Sequence, residues 1–385
     1  MTIPQRIRDF ADDLTAIRRD LHQHPELGFQ EIRTSGVVAA ELERLGIEVT
    51  TGIAETGVVG VLRGNRPGRT IGLRADMDAL PIDERTNLPW ASKTPGVMHA
   101  CGHDAHTAML LGAARYLSET RDFAGTAVFI FQPAEEGLGG ARRMIAEGLF
   151  ERFPCDEVYA LHNSPFHAPG EIGLKPGPAM AGANFFDIRV TGQGAHAAMP
   201  EASIDALMIA AHLVGQIQTI VARNVPSSER IVVSVTQIHA GAAYNVIPES
   251  AHLAGTVRYF NRDLAQSVTD RLQALCDGAA ASYGCTVSLE MRNVFDVLEN
   301  HAEQSRAMLD AASSLVGDRA VERTEAVMGS EDFADMLQVV PGAYCTVGHG
   351  SGVAVHNPGF VFDDATLPLG AALMARMIET RGATG

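Results

Sequence analysis

The sequence predicts an α/β protein in which helices sandwich a mixed, mostly parallel sheet. Helical and strand-like segments alternate through the first part of the chain, which is typical of a layered α/β structure. Residues 126–131 form a continuous apolar run that suits the buried middle of such a sheet. Apolar residues make up 46% of the chain and charged residues 20%, as in ordinary globular proteins.

The first elements follow from hydrophobic periodicity and end signals. Residues 4–23 carry apolar side chains three and four positions apart, which predicts a helix. A second helix is predicted at residues 34–45, with Thr34 or Ser35 as N-cap and Gly46 as the stop. We predict further strands at residues 57–62, 70–75, 126–131 and 157–161, and helices at residues 104–117 and 139–148.

A different order of elements begins near Met180. Strands at residues 185–191, 230–238, 251–260 and 285–291 and helices at 203–222 and 263–282 give the order βαββαβ of a ferredoxin-like unit. Later in the chain, helices at 303–316, 331–338 and 366–379 flank a strand at 342–347. These segments fit the α/β layers of the first part of the chain. We therefore predict a discontinuous main domain, residues 1–180 and 292–385, with an inserted domain at 181–291.

Charge and cysteine content narrow the function classes. The chain has 30 Lys and Arg against 46 Asp and Glu, a formal net charge of -16, which argues against nucleic-acid or anionic-membrane partners. It contains no run of 18 apolar residues, so no transmembrane helix is expected. Five scattered cysteines without a signal peptide indicate free thiols in a reducing compartment, and we expect a cytoplasmic protein.

Five short segments hold metal-type ligands, and most of them follow predicted strands. Ligands in open α/β sheets bind at the carboxyl ends of strands, so these placements agree with one another. The segments are Arg74-Ala-Asp-Met-Asp78, His99-Ala-Cys-Gly-His-Asp-Ala-His106, Gln132-Pro-Ala-Glu-Glu-Gly137, Leu161-His-Asn163 and Val355-His-Asn-Pro358.

The residue types suit two divalent ions. Cys101 and His103 are two positions apart, so in an extended segment their side chains point the same way. Glu136 and His162 would complete one ligand set, which leaves His356 for a second ion. Two ions about 3.5–4 Å apart need a bridging ligand, and the Cys101 thiolate is our candidate for it.

The adjacent carboxylates Glu135 and Glu136 fit two different tasks. Neighbours in an extended segment face opposite sides, so one carboxylate can hold metal while Glu135 stays free as a general base.

Each segment also has an ordinary structural explanation. Cys-Gly-His suits a turn with a buried thiol, Glu-Glu a first helical turn, and His162 a hydrogen-bonded core position. Asp104 could be an N-cap or could orient a ligand histidine.

Taken together, the segments resemble the binuclear-metal amidohydrolases that include hippurate hydrolases, bacterial aminoacylases and indole-acetyl-amino acid hydrolases. This family belongs to the carboxypeptidase G/aminoacylase-type metallopeptidases, whose fold is zinc-exopeptidase-like. The resemblance runs through almost the whole chain. The segments that carry it are Arg19–Leu27, Leu73–Pro81, Met98–His106, Phe131–Gly137, Gly194–His196, Gly329–Phe333 and His356–Phe360.

The resemblance implies a ligand set and a base. Two divalent ions would be held in the main domain, which would be catalytic. Cysteine with histidine and carboxylate suits zinc, manganese, cobalt or nickel, so the ligand types leave the metal open. Glu135 would be the general base and acid, and Asp76 matches the stretch in which an aspartate orients a ligand histidine. Arg74 stands where relatives of other subgroups carry a metal-binding histidine, which leaves the role of Asp76 open. The implied metal ligands are Cys101, His103, Glu136, His162 and His356.

The resemblance also implies that the inserted domain is a lid that dimerises, giving a homodimer or a homotetramer. His196 would reach a substrate oxygen, in its own or the partner subunit's site, and Asn245 and Arg258 would hold the substrate carboxylate. A loop histidine and a strand arginine with no such role are the simpler explanations.

We therefore predict a metal-dependent amidohydrolase that cleaves small-molecule N-acyl-amino acids, of the hippurate or N-acetyl-amino acid type, to a carboxylate and a free amino acid. Three alternatives stay open. One is a dipeptidase or aminopeptidase-like hydrolase of the same superfamily. The second is a cysteine hydrolase with Cys101 as nucleophile and His103 as base. The third is a metal-binding protein without activity.

Overall fold

The computed structural model describes residues 2–383. The helices are α1 (Gln5–Asp9), α2 (Ala11–Gln23), α3 (Ile32–Arg44), α4 (His103–Thr120), α5 (Gly140–Ala146), α6 (Leu149–Arg152), α7 (Ala206–Asn224), α8 (Arg262–Tyr283), α9 (Ala302–Val316), α10 (Phe333–Leu337) and α11 (Leu367–Arg381). The strands are β1 (Glu48–Ile53), β2 (Gly57–Arg63), β3 (Arg66–Asp76), β4 (Ala124–Gln132), β5 (Glu157–Ser164), β6 (Ile172–Leu174), β7 (Gly177–Met180), β8 (Gly182–Thr191), β9 (Ala195–His196), β10 (Ile231–Ala240), β11 (Val246–Ile247), β12 (Ser250–Tyr259), β13 (Thr286–Phe295), β14 (Leu298–Asn300), β15 (Ala320–Glu322) and β16 (Gly342–Gly348).

These elements form two compact units. The larger unit contains the described residues up to Ala179, Leu298–Ala326 and the residues from Glu331 on, and the smaller one contains Met180–Val297 and Val327–Ser330. These bounds differ from the predicted ranges in three places, the first being Met180, which belongs to the smaller unit. Strand β13 runs on past residue 291, with a bulge at Asn293/Phe295. The Val327–Ser330 segment joins the smaller unit because the backbone N–H of Ala181 bonds to the carbonyls of Val327 and Gly329.

The larger unit is built on an eight-stranded sheet in the order β1-β2-β4-β3-β5-β16-β6-β15. The central pairs β4–β3, β3–β5 and β5–β16 are parallel, as is β6–β15. The pairs β1–β2, β2–β4 and β16–β6 are antiparallel. The predicted mixed, mostly parallel sheet is confirmed.

The register of this sheet sorts the central residues onto two faces. Leu73, Tyr159 and Ala343 lie side by side, and all are buried in the main core together with α4 and α11. We call this side the apolar face. The next residues along the same strands, Arg74, Ala160 and Tyr344, pair with one another and so point to the opposite side, because side chains alternate along a strand. We call it the polar face; it also carries Asp76, Gln132 and His162, two residues further on.

The smaller unit is the predicted ferredoxin-like βαββαβ fold. Its four strands are antiparallel in the order β10-β12-β8-β13, with α7 and α8 contributing to one core. Helix α7 begins at Ala206 because the side chain of Asp205 caps it, accepting from the N–H groups of Leu207 and Met208. By length and composition α7 could cross a membrane, but Ile209, Leu213 and other residues of its apolar side are buried in this core.

Three local predictions are wrong, each for a physical reason. The predicted helix at 4–23 is two helices, because Phe10 leaves helical geometry at φ −113° and ψ 20°. Thr34 and Ser35 are not N-caps; they lie buried inside α3. Asp104 is not an N-cap either, because it lies in the first turn of α4 and its carboxylate pairs with the buried Arg18 at 2.8 Å.

Candidate metal centre

The loop that precedes α4 brings Cys101 and His103 to the carboxyl edge of the sheet. Gly102 between them has a φ of 92°, and a Cβ added there would lie 2.3 Å from Nδ2 of Asn163. A glycine is therefore required at this point. Nδ2 of Asn163 also donates to the carbonyl of Cys101 at 2.5 Å, which ties the loop to the end of β5.

The thiol of Cys101 and the imidazoles of two histidines lie close together. Its Sγ lies 3.3 Å from Nε2 of His162, and ligand atoms of Cys101, His103 and His162 all lie within 4.8 Å of one another. Cys101 and His103 are buried, whereas His162 is partly buried. We call these three residues the first cluster.

Cys101 also belongs to a second cluster, with Glu136 and His356. Their ligand atoms again lie within 4.8 Å of one another, and Nε2 of His356 is 3.1 Å from Oε1 of Glu136. His356, in the left-handed region at φ 63°, is held by its backbone N–H, which donates to the carbonyl of Ala100 at 2.8 Å. The thiol is the one ligand atom common to both clusters, as a bridging position requires.

Two of the proposed ligand histidines, His103 and His162, are oriented by hydrogen bonds at Nδ1. Nδ1 of His103 lies 3.1 Å from Oδ1 of Asp78, and Nδ1 of His162 donates to the carbonyl of Asn163 at 2.7 Å. With the proton on Nδ1, Nε2 of each ring keeps its lone pair for a metal. Oδ2 of Asp78 accepts from the backbone N–H of Glu136 at 3.0 Å, so one carboxylate orients both ligand segments.

Asp76 lies between His106 and Arg74. Its Oδ1 lies 2.6 Å from Nδ1 of His106, and its Oδ2 accepts from Arg74 at 2.7 Å. Oδ2 is 3.8 Å from Nε2 of His103, beyond hydrogen-bond distance. The aspartate against Nδ1 of His103 is thus Asp78, which sequence reasoning did not single out. Asp76 and Asp78 are both buried and two residues apart, so spacing alone does not distinguish them.

Glu135 is a buried carboxylate between the ligand clusters and a group of acidic residues. Its ligand atoms lie within 4.8 Å of those of His103 and Glu136, and likewise of those of Glu331 and Asp332. Its Oε1 lies 3.4 Å from the backbone N–H of Asp332, which donates to it. Burial, together with the charges of Glu331 and Glu136, raises the pKa of Glu135 well above its ordinary value. A carboxyl of this kind holds a proton readily.

The donors present fit divalent cations. Nε2 of His103 is buried without a hydrogen-bond partner. A buried polar atom left in this state costs about 1–3 kcal/mol, which a bound cation would offset. Interactions with the side chains of Cys101 and Glu136 raise the pKa of His356 to about 10, because both groups favour a positively charged ring. Thiolate, imidazole and carboxylate together suit a divalent transition metal.

The three remaining predicted residues lie in the smaller unit. His196 is exposed, and its Nδ1 accepts from the N–H of Ala198 at 3.1 Å, which leaves Nε2 to carry the proton outward. The carbonyl of Asn245 accepts from the N–H of Ala197 at 2.9 Å, so the two segments are neighbours. Arg258 donates to Oγ of Ser330 at 2.7 Å, and burial lowers its pKa. Among the described residues it has no carboxylate partner.

A mixed α/β sheet that presents thiol, imidazole and carboxylate donors at its carboxyl edge, with a further buried carboxylate beside them, defines a metal-binding hydrolase. The chain belongs to Peptidase family M20/M25/M40, whose family model matches residues 72–380.

Relatives and solved structures agree over almost the whole chain. The chain is 39% identical over 378 residues to a hippurate hydrolase of Campylobacter jejuni, covering 98% of both chains. It is 38% identical to an N-acetylcysteine deacetylase of Bacillus subtilis, covering 96% of both. A dinuclear metal-binding peptidase of Bacillus subtilis has a TM-score of 0.84 at 35% identity, covering 96% of this chain and 98% of that one. The chain is a hydrolase acting on amide bonds.

Proposed function

We propose that the protein hydrolyses the amide bond of N-acyl-amino acids, giving a carboxylate and a free amino acid. One observation carries the proposal: two ligand clusters share the thiol of Cys101, and the buried carboxyl of Glu135 lies beside them. The names of similar proteins support the substrate class, since they include the hippurate hydrolase and the N-acetylcysteine deacetylase.

We assign the ligand role to Cys101, His103, Glu136, His162 and His356. Divalent ions bound there would polarise the acyl carbonyl and make the attacking water more acidic. Glu135 carries out both proton transfers. Glu135 takes a proton from the water, whose oxygen forms the new bond to the acyl carbon. As the C–N bond breaks, Glu135 delivers that proton to the leaving nitrogen, so it ends the cycle as it began.

The smaller unit would supply the substrate contacts. We propose that Nε2–H of His196 donates to a substrate oxygen, and that Asn245 and Arg258 hold the carboxylate of the amino acid. The guanidinium of Arg258 has no carboxylate partner among the described residues, and its planar fork suits a carboxylate.

We further propose a homodimer formed through this unit, with a homotetramer as the alternative; light scattering on the purified protein distinguishes them. Cytoplasmic location stays a prediction.

A peptidase activity is the second candidate, because a relative 38% identical to the chain is named thermostable carboxypeptidase 1 of Saccharolobus solfataricus. A hydrolysis panel separates the two. It contains acetyl-, benzoyl-, indole-acetyl- and succinyl-amino acids and unblocked dipeptides, each with the protein reconstituted with zinc, manganese, cobalt or nickel. We expect turnover of acyl-amino acids above that of dipeptides; the reverse order would identify a peptidase.

The cysteine hydrolase hypothesis is disfavoured by the geometry. The thiol of Cys101 is not paired with His103 alone: His162 and His356 also have a ligand atom within 4.8 Å of it, and Nε2 of His162 lies at 3.3 Å. Burial also raises the pKa of Cys101, which opposes the thiolate a nucleophile needs. A chelator should abolish turnover under our proposal and spare it in a cysteine hydrolase. A protein that binds metal and hydrolyses nothing in the panel would support the third alternative.

A further inference from the structure

Tyr344 lies on the polar face beside the candidate metal centre. It pairs with Ala160 of β5, and Ala160 pairs in turn with Arg74 of β3. The Tyr344 side chain therefore shares a face with His162, and their ring centroids are 6.4 Å apart. The ring also packs against Phe333, at 6.1 Å between centroids, and the residue is 4% exposed. The surroundings thus fix the ring next to a proposed ligand.

The hydroxyl of Tyr344 is a donor without a partner among the described residues. The other buried tyrosine of this sheet, Tyr159 on the apolar face, donates to Oε2 of Glu157 at 2.8 Å. Buried hydroxyls usually find such a partner. The hydroxyl oxygen of Tyr344 makes no hydrogen bond to a described residue, and it is not completely sealed from solvent. Its donor capacity is therefore available to a molecule from outside the chain.

The charges nearby keep this hydroxyl protonated. Burial raises the pKa of Tyr344 well above 10, and the carboxylates of Glu331, Asp76 and Glu135 raise it further, against the lowering effect of Arg74. Arg74, on the same face, contacts Glu331 and Asp332, whose ligand atoms lie within 4.8 Å of that of Glu135. A phenol in this setting is a neutral donor among acceptor groups.

We propose that the hydroxyl of Tyr344 donates a hydrogen bond to the reacting amide of the substrate, at the oxygen on which negative charge develops. The inference rests on the proposed function, because it places that amide next to Glu135. The O–H bond of Tyr344 stays intact throughout, and Glu135 carries all proton transfer. Such a donor stabilises the developing charge more than the ground state, so it raises kcat more than it lowers KM.

The test compares Tyr344→Phe with Tyr159→Phe in the metal-loaded, full-length protein, using the best substrate of the panel. We expect Tyr344→Phe to lower kcat about 10- to 100-fold with KM within threefold, at or below the effect of one lost oxyanion donor. Its metal content and unfolding temperature should match wild type, since the hydroxyl bonds to no described residue. Tyr159→Phe should keep kcat within twofold and lower the unfolding temperature, since Glu157 loses a donor.

Two outcomes would overturn the inference. One is a Tyr344→Phe kcat within twofold of wild type. The other is a loss confined to KM, which would make Tyr344 a ground-state contact. Failure of the proposed function is a separate result: wild-type protein would then turn over no acyl-amino acid, whatever the residue at 344.

Discussion

The two faces of the central strands have opposite surroundings although they are built from alternate residues of the same segments. Leu73, Tyr159 and Ala343 are buried in the main core, while their neighbours Arg74 and Tyr344 lie with the acidic residues near Glu135. Successive residues of one strand point to opposite faces of the sheet. One residue therefore contributes to the core, and the next contributes to the candidate site. If this division is correct, changes on the polar side should reduce turnover with little loss of stability, and changes on the apolar face should do the reverse.

The largest effect should come from Glu135→Gln, which removes the proton carrier and keeps the shape of the side chain. We expect kcat to fall about 1,000-fold, within the range that general acid–base groups contribute. The metal content, measured by elemental analysis, should stay at the wild-type value because Glu135 is not a proposed ligand. The matched control is Glu43→Gln, at an exposed position of α3, which should change nothing. Near-wild-type kcat in Glu135→Gln would rule out the proposed base.

On the apolar face, Phe129→Ala should destabilise without touching the chemistry. Phe129 pairs with Leu73 and is fully buried, so its loss should cost about 3–5 kcal/mol of unfolding free energy. Denaturant unfolding measures this cost, and kcat of the folded fraction should stay within a few-fold of wild type. Val339→Ala, at an exposed position, is the control for loss of apolar atoms. A large fall in kcat at unchanged stability would remove the division between the faces.

Asp78→Asn should weaken metal binding, because an amide cannot accept from both His103 and the N–H of Glu136 as the carboxylate does. We expect an affinity loss of about 10- to 100-fold, the usual effect of removing a partner that orients a metal ligand. Competition with a chromophoric chelator measures it. The control is Asp83→Asn, an exposed aspartate that accepts from the N–H of Gly96. Equal affinities in wild type and Asp78→Asn would show that the carboxylate does not orient the ligands.

Glu31 should give the smallest effect, seen as a pH dependence of stability. Burial raises its pKa from 4.5 to about 7, despite the hydrogen bond from Thr56. The folded state therefore binds a proton that the unfolded state releases, so this contribution is complete below pH 4.5 and is lost as pH rises through 7.

Glu31→Gln stays neutral and can keep the bonds to Thr56 and Ala134. Relative to wild type it should gain up to roughly 3 kcal/mol between pH 4.5 and 8, because Glu31 is fully buried. Denaturant unfolding at several pH values measures the difference. A difference between the two proteins that does not vary with pH would contradict the shift.

Much of the fold was predictable, because long periodic segments such as residues 104–117 and 263–282 specify their own helices. The ferredoxin-like order followed from such segments alone. The short strands β6, β14 and β15 have three residues each and carry no period. The break at Phe10 lies within an unbroken apolar pattern, so the spacing of apolar residues does not mark it.

The candidate site was predictable in its residue types and less so in its connections. The five segments that the sequence marked contain the residues of both clusters. The sequence did not show which carboxylate contacts His103, because Asp76 and Asp78 are two residues apart and would face the same side of an extended segment. The contacts of Asn163 and Tyr344 were also hidden, since they join residues distant in sequence, as between Asn163 and Cys101.

The most direct test is a stepwise metal titration of the metal-stripped protein, with turnover of an N-acyl-amino acid as the signal. Two clusters that share one thiol predict no turnover without metal, and activity that rises until two divalent ions are bound per chain. Full turnover by the metal-free protein would contradict the account.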